Sequence, residues 1–276
     1  MTLKEKILTL ELTDSQLAMF YMGQEGFLFK YHGKYLLLDG YLTNAIDIRC
    51  HKAPEDCRRY PSPLAPDDLD FIDWVFCSHV HDDHTDPWTI EGIAKVNPWA
   101  KFCIPAFFAD EVRKMGAENV LPLDTDKTYR LCDDISVTPV PAAHEELHPC
   151  GNGHYMENGC VFRFGDIQLY HAGDSTVYSG LAERAAGSHI MMLPINGRDY
   201  FRLSANCIGN MDCREAILLA SIVNPELLIP MHYDLHPGND LNPAVFVEWM
   251  EKFRREEKRN IPYHLFTPGE KYIFTL

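Results

Sequence analysis

A group of metal-binding side chains stands close together in the first third of the chain. The segment HVHDDH (79–84) follows directly on the apolar run WVFCS. Alternation along an extended segment projects His79 and His81 to the same side. Imidazole nitrogens and carboxylate oxygens suit Zn²⁺, Mn²⁺ or iron, and two adjacent ions need more ligands than one tetrahedral site. The HxHxDH pattern therefore predicts the beginning of a metal centre.

Three further candidate ligands each stand at the end of an apolar, strand-like run. His144 ends ISVTPVPAAH, Asp174 ends IQLYHAGD and His232 ends ELLIPMH. A single histidine at a strand end is more often a hydrogen-bonded structural residue, since histidine is intermediate in burial. Strand ends are, however, where an α/β scaffold displays its chemistry. Together with the HxHxDH segment, these residues predict a two-metal site.

The elements that must position these residues are strands mixed with helices. Between Thr128 and Asp174 nearly every segment is strand-like, so the order is not the regular alternation of a doubly wound sheet. We expect one α/β domain over residues 1–276, with two sheets covered by helices. A proline-rich loop, 54–68, is predicted to be a surface excursion. The predicted strands include 17–22, 26–31, 34–40, 74–79 and 101–106, and the predicted helices are 87–96, 106–116, 212–223 and 243–256.

Composition limits the function classes. The 25 basic and 40 acidic side chains give a formal charge of -15, which disfavours an extended nucleic-acid groove. No apolar run is long enough for a membrane span, and the N-terminal segment lacks the pattern of a signal peptide. Nine cysteines, without CxxC pairs, indicate reduced thiols and a cytoplasmic protein; a catalytic cysteine thiolate is the weaker alternative.

The order HxHxDH, His, Asp, His on a strand-rich chain resembles the metallo-β-lactamase superfamily, from about Leu17 to the C-terminus. This resemblance implies a four-layer αββα sandwich with two mixed sheets. Within it, INGRD (195–199), NCIGNM (206–211) and IPMHYD (229–234) resemble, in this order, motifs of the bacterial L-ascorbate-6-phosphate lactonase family.

The resemblance also implies roles for the candidate ligands. Asp174 would bridge two divalent ions, Mn²⁺ or Zn²⁺, with iron the less favoured alternative. Asp39 matches an early strand-end aspartate that orients a ligand or loop, although a plain turn aspartate is an equally good interpretation. The first ion would be held by His79, His81 and His144, and the second by Asp83, His84 and His232.

The implied function is hydrolysis of a small molecule, such as the lactone L-ascorbate 6-phosphate, by a metal-bound hydroxide. Asp83 and Asp174 are the predicted catalytic residues, and Asp83 would also carry a proton to the leaving oxygen. Arg198 and Arg202, with Asn196 nearby, are predicted to bind a substrate phosphate. An arginine paired with Asp199 or Asp212 is the structural alternative.

Two other functions stay open at this stage, and a symmetric homo-oligomer is possible. The same pair of metal ions would serve a phosphodiesterase acting on small or cyclic diesters. An iron-dependent oxidoreductase is the alternative from another enzyme class. Resembling di-iron enzymes carry glutamate at the second histidine position, where this chain has His81, so this alternative is disfavoured.

Overall fold

The first sheet has seven strands, and the computed structural model describes it together with the rest of residues 1–276. Its strands are β1 (Gln16–Gly23), β2 (Gly26–Tyr31), β3 (Lys34–Leu38), β4 (Trp74–Phe76), β5 (Lys101–Pro105), β6 (Val120–Leu123) and β15 (Lys271–Thr275). Their order across the sheet is β15-β1-β2-β3-β4-β5-β6. Pairing is antiparallel from β15 to β3 and parallel from β3 to β6.

The second sheet has six strands and is also mixed. Its strands are β7 (Tyr129–Arg130), β8 (Ile135–Pro141), β11 (Asn158–Phe164), β12 (Ile167–His171), β13 (Ile190–Pro194) and β14 (Leu227–Met231). The order is β14-β13-β12-β11-β8-β7, with parallel pairing only among β12, β13 and β14. A separate hairpin, β9 (Pro149–Gly151) and β10 (His154–Tyr155), precedes β11.

Eight α-helices and three short 3-10 helices connect the strands. Side chains at the N-termini explain where the longer helices begin: Asp86 accepts a hydrogen bond from the Trp88 amide, and Asp212 and Glu215 form a capping box. None of the helices combines the length and the apolar character that crossing a membrane requires. The helices are α1 (Leu3–Thr9), α2 (Ala45–Arg49), α3 (Pro87–Val96), α4 (Ala109–Lys114), α5 (Leu181–Arg184), α6 (Tyr200–Ser204), α7 (Cys213–Val223) and α8 (Pro243–Glu257), and the 3-10 helices are Pro66–Asp68, Ala106–Phe108 and Pro237–Asn239.

Apolar side chains between successive layers hold these elements together. Alternate residues of β1, such as Met19, belong to the core between the two sheets, while their neighbours, such as Phe20, pack in a second core with α3 and α4. The sheets meet through aromatic pairs, and the rings of Phe76 and Phe162 are 4.9 Å apart. Helices α7 and α8 cover the outer face of the second sheet. The predicted four-layer αββα arrangement is confirmed.

Each predicted strand and helix overlaps an observed element, but the predicted strands 34–40 and 74–79 extend two and three residues past the ends of β3 and β4. The predicted helix 106–116 consists of a 3-10 turn followed by α4, and the strand-like stretch before Asp174 contains β7 to β12. The loop 54–68, however, is more than a surface excursion. The Glu55 carbonyl accepts a hydrogen bond from the Gly238 amide at 2.8 Å, and the Arg59 amide donates to the Leu235 carbonyl at 2.9 Å. These backbone bonds attach the loop to the segment that follows β14.

Candidate metal centre

The candidate ligands meet at one edge of the sandwich because each follows the carboxyl end of a strand. The HxHxDH segment follows β4, and His144, Asp174 and His232 follow β8, β12 and β14. Gly173 permits the turn before Asp174, because a Cβ atom at this position would lie 2.9 Å from the Ser78 side chain. The structure thus brings all seven predicted ligands together.

Three of them form a compact histidine cluster. His79 Nε2 lies 2.9 Å from His81 Nδ1, and His144 Nε2 lies 3.1 Å from the same atom. His79 and His144 are buried, whereas His81 is exposed at the opening of the site. A neutral imidazole has only one N–H group, so three converging ring nitrogens cannot all be paired by hydrogen bonds to one another. Their lone pairs suit one cation.

The other ligands form a mixed cluster of two carboxylates and two imidazoles. His84 Nε2 and His232 Nε2 each lie 3.3 Å from Asp174 Oδ1, and they lie 3.5 and 3.4 Å from Asp83 Oδ2. The edge of a tetrahedron is about 1.6 times its centre-to-corner distance, so ligands about 2.1 Å from an ion stand about 3.4 Å apart. The observed spacing fits a tetrahedral cation.

Asp174 connects the two clusters, and it carries an unsatisfied atom. Its Oδ2 lies 3.8 Å from His144 Nε2, while its Oδ1 faces the mixed cluster. Asp174 Oδ1 and His84 Nε2 are both buried without a hydrogen-bond partner. Buried polar atoms are rarely left unpaired. These two atoms, on adjacent ligands, therefore fit a bound metal ion.

Electrostatics differ between the two halves of the site. Burial lowers the pKa of His144 to about 4, and burial with the charge of His84 lowers that of His79 well below its usual range. Burial also opposes charge on His84 and His232. The neighbouring carboxylates, among which Asp174 has the largest effect, outweigh burial and raise both pKa values. Conversely, these histidines hold the pKa of Asp174 well below its usual range against the effect of burial.

Asp39 and Ser78 fix the ring orientations of two ligands. Asp39 Oδ2 accepts a hydrogen bond from His84 Nδ1 at 2.9 Å, and Asp39 Oδ1 accepts one from the Ser78 amide at 2.7 Å. Ser78 Oγ lies 3.0 Å from His79 Nδ1. In both rings Nε2 is left facing the cluster. This geometry supports the orienting role that the family resemblance implied for Asp39 over the plain turn aspartate.

Replacing Asp39 with asparagine should weaken metal binding about 10- to 100-fold. The asparagine keeps the shape but turns an N–H group toward His84 Nδ1–H, which disturbs the ring. Competition with a chromophoric chelator measures the affinity. Asp73→Asn is the matched control, because Asp73 also accepts a backbone amide, that of Tyr35, but lies outside the site. An Asp39→Asn protein that binds metal like this control would contradict the orienting role.

Two buried residues beside the mixed cluster, Gln24 and Glu25, were not among the predicted site residues. Gln24 Nε2 donates to Asp83 Oδ2 at 3.0 Å and lies 3.2 Å from His232 Nε2, and the Gln24 carbonyl accepts the His232 amide. Glu25 is fully buried, and its two carboxylate oxygens have no hydrogen-bond partner, so burial, together with the charge of Asp174, raises its pKa well above its usual range. In the sequence, Gln24 and Glu25 stand out only as a polar pair between two glycines in the turn that joins β1 to β2.

Two of the three predicted phosphate-binding residues, Arg198 and Asn196, are hydrogen-bonded to other protein side chains. Arg198 forms a double ion pair with Glu215, both distances being 2.7 Å, so its partner is neither Asp199 nor Asp212. Asn196 is buried between Asn239 and Asn210, to which its amide group is hydrogen-bonded.

Arg202 is the other member of the predicted set. Its Nε donates to Asp199 Oδ2 at 2.7 Å, and its Nη1 donates to the Asn196 carbonyl. The pairing with Asp199 is the one that the structural alternative predicted for an arginine of this segment. Arg202 also lines a cavity of about 460 Å³ with Cys207 and His236. None of the seven candidate ligands lines the cavity, but His236 follows His232 by four residues, and both Cys207 and His236 are near enough to feel the charges of Asp83 and His232.

Comparisons with known proteins find metal-dependent hydrolases among the similar sequences. A family model described as a beta-lactamase superfamily domain matches residues 41–233. A UPF0173 metal-dependent hydrolase from Deinococcus radiodurans is 31% identical over 200 residues, covering 71% of this chain and 78% of that protein. Igni18, a metallo hydrolase from Ignicoccus hospitalis, has a TM-score of 0.68 and 20% identity over 95% of this chain and 99% of its own. An isothiocyanate hydrolase from Delia radicum gut bacteria has a TM-score of 0.69 and 18% identity, and the match covers 94% of this chain and 99% of that protein.

Proposed function

This chain belongs to the metallo-β-lactamase superfamily as a metal-dependent hydrolase, and from this premise we propose that it opens a small anionic lactone. A sugar-acid lactone such as L-ascorbate 6-phosphate is the substrate class that we propose. The observation that carries the proposal is the pair of clusters joined by Asp174, next to a cavity that Arg202 lines. Two divalent ions, Mn²⁺ or Zn²⁺, would be held by the seven ligands.

Bound divalent ions supply a Lewis acid and a water molecule of lowered pKa. Within the protein, Asp83 is the carboxylate that a substrate reaches, since its side chain is 16% exposed whereas that of Asp174 is 5% exposed. Burial opposes the charge of Asp83, but His84 and His232 outweigh this effect and hold its pKa well below the usual range. Asp83 therefore stays ionised and can take a proton from the attacking water and pass it to the leaving oxygen.

Asn196 and Asp199 hold Arg202 in place by accepting hydrogen bonds from Nη1 and Nε, while its Nη2 makes none within the protein. This donor, on a side chain that lines the cavity, suits an anionic substrate group. Arg198 has its guanidinium taken up by Glu215. We therefore assign anion binding to Arg202, and we assign to Arg198 the task of fixing the loop to α7.

Arg202→Ala should raise KM for a phosphorylated lactone at least about 10-fold, the effect of losing one charge-assisted hydrogen bond of about 1.5 to 3 kcal/mol. The KM for neutral δ-valerolactone should change little. Steady-state kinetics on both substrates measure the difference, and Arg202→Lys, which keeps the charge, should lose less. Arg198→Ala is the matched control and should affect both lactones equally. A uniform loss in Arg202→Ala would instead assign this residue a structural role.

A turnover screen tests the proposed function as a whole. The Mn²⁺- and Zn²⁺-loaded proteins would be given L-ascorbate 6-phosphate, δ-valerolactone and bis-p-nitrophenyl phosphate, with His81→Ala as the inactive control. Fast, metal-dependent opening of the phosphorylated lactone supports the proposal. Turnover of the diester alone would identify a phosphodiesterase. The proposed compartment is the cytoplasm, which suits nine cysteines that are all free thiols.

A further inference from the structure

His236 lines the cavity beside the metal cluster and has an unused ring nitrogen. It stands four residues after His232 in the segment that follows β14, just before a 3-10 turn, Pro237–Asn239. His236 was not among the predicted site residues. Its side chain is not one of the seven candidate ligands, and the proposed mechanism does not use it.

The proton on the His236 ring is located by one contact. His236 Nδ1 lies 2.7 Å from the carbonyl oxygen of Asp56, in the loop that docks on this segment. A carbonyl oxygen can only accept a hydrogen bond, so Nδ1 carries the proton. In the neutral ring, Nε2 then has a free lone pair.

The surroundings keep this ring neutral. Burial lowers the pKa of His236, and the nearby carboxylates of Asp83 and Asp47 offset this effect only in part. The residue is 6% exposed, and its Nε2 is buried without a hydrogen-bond partner. The ring of Tyr41, 5.6 Å away, supports the imidazole from the side. His236 Nε2 is thus a hydrogen-bond acceptor on an immobilised ring, and no group of the protein donates to it.

We propose that His236 Nε2 accepts a hydrogen bond from a hydroxyl group of the substrate, whose anionic group binds Arg202. This inference rests on the proposed function, and it narrows the substrate to a hydroxylated acid. The cavity of about 460 Å³ is within the range of small-molecule sites. Its wall combines a free N–H group on Arg202 and the buried acceptor His236 Nε2 with the carboxylates of Glu55 and Asp56, which accept hydrogen bonds from hydroxyl groups but disfavour a second anionic group. A polyhydroxy acid with a single anionic end fits this wall, since its anionic group can bind Arg202 while a hydroxyl group donates to His236.

Binding of two phosphates to the Zn²⁺-loaded protein tests the proposal without turnover. Sorbitol 6-phosphate has hydroxyl groups along its six-carbon chain and a single anionic group, whereas hexyl phosphate has the same chain length and no hydroxyl group. We expect calorimetry to show at least about 10-fold tighter binding of sorbitol 6-phosphate by the unmodified protein. His236→Asn keeps an N–H group for the Asp56 carbonyl but lacks Nε2, so it should bind both phosphates equally and hexyl phosphate as before. His236→Phe, which keeps a ring, should show the same loss of discrimination.

Nitrogen-15 NMR of the metal-loaded protein provides a second measurement. The His236 ring should show a protonated Nδ1 and an unprotonated Nε2, and the Nε2 resonance should shift when sorbitol 6-phosphate is added. The proposal is overturned if the unmodified protein does not discriminate between the phosphates, or if His236→Asn discriminates as well as it does. Discrimination by His236 without any lactone turnover would overturn the lactone substrate while leaving the His236 contact in place.

Discussion

Asp174→Ala should lower kcat/KM at least about 10³-fold and reduce the bound metal below two ions per chain. Asp174 has one oxygen 3.3 Å from both His84 Nε2 and His232 Nε2, and its other oxygen faces His144. Removing it therefore takes a ligand from both clusters at once. A metal ion contributes several kcal/mol of transition-state stabilisation, and about 4 kcal/mol corresponds to a factor of about 10³. Lactone kinetics and elemental analysis measure the two effects.

Two variants separate this effect from a general loss of structure. Asp166→Ala removes an exposed aspartate just before β12, whereas Asp174 follows this strand, and it should retain both metal ions and full activity. Asp174→Asn keeps the shape and one carbonyl oxygen, so it should hold more metal than Asp174→Ala. If Asp174→Ala keeps two ions and activity within 10-fold of the unmodified protein, Asp174 does not bridge the clusters.

The ligands could be predicted from the sequence because local patterns determine their positions. Strand runs such as IQLYHAGD end at a fixed edge of a sheet, so a polar residue at the end of each run reaches the same place as the others. Burial of both faces of β1 also made this strand easy to identify, since it is almost wholly apolar. Hence the two sheets and the ligand set followed from one kind of signal.

Other parts of the site depend on contacts between distant segments, which the sequence pattern does not show. His236 gains its fixed proton only because the loop 54–68 docks on the segment after β14. Arg198 was expected to bind phosphate or pair with Asp199 or Asp212, but Glu215, which also caps α7, reaches it instead. Gln24 lies beside His232 although 208 residues separate them. Such pairings follow from loop packing rather than from hydrophobic periodicity.

Chelation of the metal should lower the melting temperature by about 10 to 20 °C without unfolding the protein at room temperature. Saturation at about 1,000 times Kd stabilises a fold by about 4 kcal/mol per site, and 1 kcal/mol corresponds to about 2 °C for a chain of this size. The fold survives because the mixed cluster keeps its own charge balance. His84 and His232, with raised pKa values, oppose Asp83 and Asp174, with lowered ones. Calorimetric scans with and without chelator measure the change.

The part of this stabilisation that belongs to the histidine cluster can be isolated with His81→Ala. This variant loses one of three converging nitrogens while His79 and His144 stay buried, so chelator should lower its melting temperature by about half as much as it does for the unmodified protein. His32→Ala is the matched control, since His32 lies between Asp14 and Asp134 and should leave the chelator effect unchanged. An equal effect of chelator on all three proteins would place the stabilising ion outside the histidine cluster, because stabilisation by a ligand follows its affinity for the folded state.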